Sequence, residues 1–309
     1  MHVAEQRADS SPVHGAMEDT PLMRELTRDH ARRRKLEGIQ FHRPDSTRII
    51  TVSNQKGGVG KTSSTVNLAA ALSMGGLEVL VIDADPQGNT STALNIEHHA
   101  DVPSIYEVLV ESASLAGVVQ PVPDMEHLYC APATINLSGA EIELVSLVAR
   151  ENRLRNAIRD YLDHREQEGM SRLDYVLIDC PPSLGLLTVN ALVAAREVLI
   201  PIQAEYYALE GLSLLLNNIE LIRQHLNPEL VVSSILITMY DTRTRLAAQV
   251  AQDVRDHFPD TTLETTIPRS VRISEAPSYG QTVLTYDPSS SGALAYRAAA
   301  YELNTRPAP

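Results

Sequence analysis

The sequence predicts an α/β protein with a doubly wound, mostly parallel sheet flanked by helices. Three observations carry that expectation. Short aliphatic runs alternate with helix-length segments from residue 48 to residue 303. A glycine-rich turn, Gln55–Gly60, joins the first run to the first helix. Aspartates close two of the runs, in EVLVID and DYVLID, where an open α/β sheet binds ligands beyond the carboxyl ends of its strands.

Residues 1–20 are polar and small and read as disordered. Thr20-Pro21 suits a helix start, with Pro21 at its first position. The segment that follows carries Arg24, Arg28, Arg32, Arg33, Arg34 and Lys35 against Glu25 and Asp29. It reads as a basic helix: a solvated extension, or an accessory contact to DNA, an anionic surface or a partner protein. Pro44 closes the linker, so residues 1–47 form a flexible extension, 48–305 the α/β domain and 306–309 a tail.

Arg48–Ser53 is the first strand, and Lys61–Met74 the first helix, stopped by Gly75-Gly76. Strands follow at Glu78–Asp83 and Leu128–Pro132. Leu137 to about Arg165 reads as one long helical stretch, with Ser138-x-x-Glu141 fitting a capping box. Asp174–Asp179 is a strand before Pro181-Pro182, Ser183–Ala195 a helix, Val198–Gln203 a strand and Leu209–His225 a helix. Val231–Thr238 and Leu263–Ile267 are strands on either side of a helix at Thr244–Phe258, and Gly292–Leu303 is the final helix.

Composition narrows the function. The chain has 309 residues, 43% of them hydrophobic but only 4% aromatic, so its core must be aliphatic, as buried parallel strands require. A net charge of −13 argues against a generally basic nucleic-acid binder; DNA contact would need a local patch acting against the global field. Cys130 and Cys180 are too far apart to form a ligand pair and read as reduced thiols, with Cys180 buried and inert. No apolar run approaches 18 residues, which argues against stable membrane insertion and, with the reduced thiols, gives the expectation of a cytoplasmic location.

The richest stretch is Ile50–Thr65, ITVSNQKGGVGKTSST. A polyphosphate is held by inward backbone N–H groups of a glycine-rich loop together with the positive end of a helix. Gly57, Gly58 and Gly60 leave room for it, with Val59 between them and Ser63 just beyond. Lys61 would reach the β- and γ-phosphates of ATP, and the Thr62 hydroxyl would ligate Mg²⁺. The general pattern G-x-x-x-x-G-K-S/T nevertheless fails, because Gln55 stands where its first glycine belongs and an additional lysine, Lys56, follows.

The strand-end acids complete the expectation. Asp179, after an apolar run, has the Walker B position and is a direct or outer Mg²⁺ group; Asp83 could share that role. Asp85 stands one turn further out, free to position an attacking water.

These motifs resemble the deviant-Walker ATPases of the ParA/Soj type. The resemblance rests on KGGVGKT at Lys56–Thr62, DADPQGN at Asp83–Asn89, DCPPSLGLLTVNAL at Asp179–Leu192, EYYALEGL at Glu205–Leu212 and IPRSVRISEAPSYG at Ile267–Gly280, in the family's order. It implies a sandwich homodimer closed by ATP, with Lys56 reaching into the partner's site, and Gly57 at the point where the two loops crowd together. It implies Lys61 as the phosphate lysine in cis, Thr62, Asp83 and Asp179 around Mg²⁺, Asp85 as the water-activating group and Pro268 at the nucleotide. It also implies that the dimer binds double-stranded DNA without sequence specificity through Arg243 and Arg272, with Arg245 and Arg269 as neighbours. A ParB-type centromere-binding protein would stimulate hydrolysis and release. A MinD-like membrane-associated positioning ATPase is the alternative, but it needs a basic amphipathic C-terminal helix, and ALAYRAAAYELNTRPAP has few cations.

Overall fold

A computed structural model describes residues 21–309, so the disorder expected for residues 1–20 lies outside the described residues. Among the described residues, eight strands form one sheet: β1 (Arg48–Val52), β2 (Val79–Asp83), β3 (Gln120–Pro121), β4 (Leu128–Ala131), β5 (Tyr175–Asp179), β6 (Glu197–Gln203), β7 (Val231–Tyr240) and β8 (Thr262–Pro268). Their spatial order is β3-β4-β2-β5-β1-β6-β7-β8. All neighbours pair in parallel except β3 with β4. Chain order jumps across the sheet between β1 and β2, which opens a crevice at the carboxyl ends of β1, β2 and β5. The register sets Val52 beside Asp179, and Asp179 beside Asp83.

Alternation along the strands builds the layers. Ile50, Val52, Val79, Val81, Tyr175 and Leu177 point to one face, under α2 (Lys61–Met74) and α11 (Ser291–Thr305). Leu80, Ile82, Val176 and Ile178 point to the other, under α4 (Leu137–Leu144), α5 (Arg153–Gln167) and α6 (Leu186–Ala194). Val198, Ile200, Ile235 and Ile237 continue that face under α7 (Ala208–His225) and α8 (Arg245–His257). The smaller helices are α3 (Asn89–Ala93), α9 (Val271–Glu275) and α10 (Val283–Tyr286). They lie in loops at the carboxyl ends of strands and were not anticipated, because a one-turn helix leaves no periodic signature.

The single helix expected from Leu137 to about Arg165 is corrected. It breaks into α4, a 3₁₀ turn at Arg150–Asn152, and α5. No glycine or proline marks the break; the cause is tertiary. Asn190 on α6 accepts from Leu154 N at 3.2 Å and donates to Arg150 O at 2.8 Å, so a side chain from another helix starts α5. Ala149 turns the chain with φ 51°. The capping box is also corrected. Ser138 lies inside α4, Asn136 precedes the helix, and Asn136 Nδ2 donates to Ala100 O. Thr244, where the sequence places the start of a helix, caps α8, its hydroxyl accepting from Ala247 N.

The basic segment forms α1 (Pro21–Leu36), which packs against α11. The chain after it is tied down: Phe41 meets the Tyr301 ring edge-on at 5.8 Å, and Arg43 binds Asp174 at 3.0 Å. His42 exchanges two backbone hydrogen bonds with the Asn304 amide.

At the opposite end of the sheet from the crevice, Arg48 and Glu197 form a buried bidentate pair at 2.8 and 2.6 Å. Arg48 also donates to Leu303 O and Arg306 O, fastening the C-terminal helix. Breaking such a pair strands a buried guanidinium and costs about 3–5 kcal/mol. Glu197→Ala is therefore expected to lower the urea midpoint steeply, while the volume-matched pair Arg48→Met with Glu197→Leu recovers most of the loss. A Glu197→Ala change within about 1 kcal/mol of wild type would show that the pair is not a stability element.

Candidate nucleotide site

The loop between β1 and α2 closes through local chemistry. Asn54 anchors its start, donating to Pro201 O at 2.8 Å and accepting from Lys56 N at 2.9 Å. Gly58 and Gly60 have φ of 73° and 86°, a backbone region that side chains rarely tolerate, so two of the loop glycines are required by conformation. The Val59 carbonyl accepts the Thr238 hydroxyl at 2.7 Å, fixing the loop against β7. Lys61, Thr62 and Ser63 open α2, with their N–H groups turned toward the loop's concavity.

Lys61 is 7% exposed, and its Nζ sits 3.4 Å from Lys56 O. Burial lowers its pKa, against the attraction of Asp179 and Asp85. A polyphosphate arriving in the loop would supply the missing negative charge. Lys56 behaves differently. Its side chain is half exposed, and its Nζ pairs with Glu205 Oε2 at 2.5 Å, away from its own loop. Glu205 follows β6 in the block containing Tyr206 and Tyr207, whose exposed rings meet edge-on at 5.1 Å.

Asp179 closes the floor of the site. Oδ2 accepts the Thr62 and Thr90 hydroxyls, each at 2.7 Å, and Oδ1 accepts Thr65 at 3.3 Å. Burial raises its pKa to about 6, against the hydroxyl bonds that favour the carboxylate. Thr62 is the half-buried member of this group, so its oxygen is the one able to meet an ion on the phosphates, with Asp179 orienting it from behind. Thr62 and Asp179 thus fit Mg²⁺ held largely by phosphate oxygens and water.

Asp83 is turned elsewhere. It is fully buried and accepts from Ser91 N and Ser91 Oγ at 2.9 and 2.7 Å, which ties α3 to β2. Burial and the neighbouring Asp179 raise its pKa to about 8. A carboxyl raised above its unfolded value adds no pH dependence in strong acid and costs stability as pH climbs toward the folded value. Relative to wild type, Asp83→Asn should therefore gain stability between pH 5 and pH 8. Denaturant midpoints of the nucleotide-free proteins check this; a constant difference across that window would contradict it.

Asp85 is 7% exposed at the crevice, with Oδ1 accepting from Gln87 N at 3.0 Å. Pro268 ends β8 opposite Tyr240, two residues beyond the Thr238 that braces the loop. Arg243 and Arg269 flank Asp241: Arg243 forms a two-pronged pair with it, and both hold its carboxyl down, to about 2. Arg245 opens α8 beside them and is exposed. Arg272, on α9, pairs with Glu275 and Asp287 at 3.2 and 3.4 Å and lies over the Tyr286 ring. The loop residues and the acids thus converge in the crevice, whereas the four arginines lie on exposed turns and first turns of helices after β7 and β8. Thr65, Thr90, Asn54 and Glu205 were not anticipated individually, although Asn54, Thr65 and Glu205 stand inside stretches already singled out.

A glycine-rich loop from strand to helix, a buried acid behind its threonine and a second lysine turned outward define a P-loop nucleotide-binding protein of the deviant Walker class. The AAA domain family model AAA_31 matches residues 47–232. The sporulation initiation inhibitor protein Soj of Bacillus subtilis is 49% identical over 81% of this chain and 95% of its own length. The chromosome partitioning protein ParA of Myxococcus xanthus is 47% identical over 85% of this chain and 89% of its own. The chain belongs to the ParA/Soj family of chromosome-partitioning proteins. Among solved structures, a cobyrinic acid a,c-diamide synthase from Mycobacterium smegmatis with bound ADP and magnesium is similar, at 35% identity and TM-score 0.69 over 82% of this chain and 92% of that one. The septum site-determining protein MinD of Pyrococcus horikoshii, complexed with Mg-ADP, shares 26% identity at TM-score 0.66 over 84% of this chain and 96% of that one.

Proposed function

We propose that this chain is a Mg²⁺-dependent ATPase of chromosome partition. It binds ATP through its own Lys61 and Thr62, closes as a sandwich homodimer, holds double-stranded DNA non-specifically in that state and releases it after hydrolysis stimulated by a ParB-type partner. The observation that carries the reading is the contrast between the two lysines. Lys61 is buried in its own loop, while the Lys56 ammonium leaves that loop to pair with Glu205 and its side chain stays half exposed. A lysine with no work in its own site fits one that completes a neighbour's. Asp85, at the crevice and one turn beyond the metal residues, orients the attacking water. Arg243, Arg245, Arg269 and Arg272 grip backbone phosphates, a task for which the guanidinium fork is suited. Because one acidic monomer offers few cations, doubling them on one face of a dimer couples DNA affinity to ATP.

A MinD-like membrane role is not favoured. Leu294, Tyr296, Ala299, Ala300 and Leu303 of α11 are buried in the core, so the C-terminal helix has no apolar face to offer a bilayer. Among the described residues, no helix is long and apolar enough to cross a membrane.

The test is steady-state ATP turnover measured alone, with DNA, with the ParB-type protein, and with both. Joint addition should raise kcat by more than either alone. Turnover indifferent to all three additions would sink the partition reading while leaving nucleotide binding in place.

A further inference from the structure

The basic helix α1 is not used by the proposed mechanism, and its placement gives it a role. It contributes six cations, Arg24, Arg28, Arg32, Arg33, Arg34 and Lys35, against Glu25 and Asp29, a charge of +4; the rest of a chain carrying −13 therefore carries −17. A cationic helix on so acidic a body would ordinarily be absorbed by nearby carboxylates. That is not what Arg33 and Arg34 do. Arg33 Nη2 donates to a neutral group, Ser289 O, at 3.0 Å, Arg34 is exposed, and among the described residues neither forms an ion pair.

The location of Ser289 matters more. Its hydroxyl donates to Asp287 Oδ1 at 3.2 Å, and Asp287 Oδ2 holds Arg272 Nε at 3.4 Å. Arg33 is thus linked to Arg272 through Ser289 and Asp287. Moving back along the chain, contacts with α11 run from Asn304 (by His42) through Tyr301 (by Phe41) to Ser289, just before that helix begins. The helix axis therefore leads toward the sheet end where α9 carries Arg272. Eleven residues of α1 precede Arg32, about 16 Å of further helix at 1.5 Å per residue.

We propose that α1 and the Arg243–Arg269–Arg272 surface form one continuous phosphate-binding face, so that double-stranded DNA is contacted by the N-terminal helix as well as by the ATPase core. DNA is favoured over an anionic bilayer because the helix joins a surface of arginines rather than an apolar ridge. A membrane-lying helix needs a broad apolar face, whereas the large apolar residues of α1 are only Leu22, Met23, Leu26 and Leu36, and Leu36 is already buried. This proposal rests on the DNA-binding reading above.

The experiment uses the full chain with ATP and a 30-bp duplex of arbitrary sequence, with binding measured across a salt series. Three proteins are compared: wild type; a helix variant carrying Arg24→Gln, Arg28→Gln, Arg33→Gln and Arg34→Gln; and Arg243→Ala with Arg272→Ala. Each phosphate that is no longer neutralised lowers the slope of log K against log salt by about 0.9, so the helix variant should show a slope shallower by roughly 2–3 and bind about 10-fold or more weakly at fixed salt, with thermal midpoint and ATP-dependent dimerisation unchanged. An unaltered slope in the helix variant, with wild type binding and the double arginine variant not, overturns this inference alone. Absence of DNA binding by wild type overturns the reading it rests on as well. Helix-dependent sedimentation with phosphatidylserine vesicles, together with an unaltered DNA slope, would assign α1 to lipid and overturn the proposal.

Discussion

Asp85→Ala is expected to reduce ATP turnover by about 10²–10⁴-fold while leaving nucleotide binding intact, the range that a positioned general base contributes. The geometry separates those two effects. The phosphate loop is braced by Asn54, Thr238 and the start of α2, none of which depends on Asp85. What the substitution removes is a carboxylate at the crevice whose one described side-chain bond, from Gln87 N, is worth about 1 kcal/mol of local turn stability. Phosphate release would fall, and the ATP-bound state would accumulate. If DNA affinity belongs to that state, the variant should remain on DNA long after wild type has dissociated. Phosphate release in a single turnover, with DNA retention followed in parallel, checks both halves. Turnover within about threefold of wild type would remove Asp85 from the role assigned to it.

The difference between what the sequence disclosed and what it concealed has a physical origin. The strands of the sheet centre are continuous aliphatic runs because both faces are covered, and their ends are legible from the acids and glycines that stop them. The phosphate loop was legible because Gly58 and Gly60 are required by backbone conformation and Lys61 and Thr62 by the chemistry of a phosphate-bound Mg²⁺ site. The break between α4 and α5 was not, because the group that makes it, Asn190, lies in another helix and the local sequence is helix-compatible throughout. The same holds for the acids. All three precede loops at strand ends, yet their environments differ: Asp179 gathers hydroxyls from Thr62, Thr65 and Thr90, Asp83 is taken up by Ser91, and Asp85 alone faces the crevice. Sequence position set Asp85 apart as the outer acid but gave Asp83 and Asp179 one role; packing told those two apart. Glu205 was hidden for a related reason. Nothing in EYYALEGL says that its first carboxylate receives Lys56 from a loop 149 residues away.

Gly57→Val should leave the monomer intact and abolish ATP-dependent dimerisation. A Cβ built at Gly57 meets no atom within 4 Å, and the residue does not occupy the left-handed region where a side chain is strained. Thermal stability should therefore lie within about 1 kcal/mol of wild type, as for a surface substitution. Nothing within the monomer requires glycine there, so the requirement, if the sandwich dimer forms, comes from the second copy. Gly60 supplies the contrast. Its φ of 86° imposes a conformational cost on any side chain, and Thr238 and Met239 already lie 3.8–4.0 Å from the position of a Cβ. Gly60→Ala should weaken nucleotide binding in the monomer itself, because the loop must distort before any partner is present. A fluorescent ATP analogue and light scattering after gel filtration, applied to both variants, separate the two roles. Gly57→Val should bind the analogue as wild type does and elute as a monomer with ATP, whereas Gly60→Ala should fail at the binding step. If Gly57→Val instead dimerises with the ATP dependence of wild type, the two loops do not crowd together at Gly57, and the account of Lys56 as a residue that serves the neighbouring site loses its geometric support.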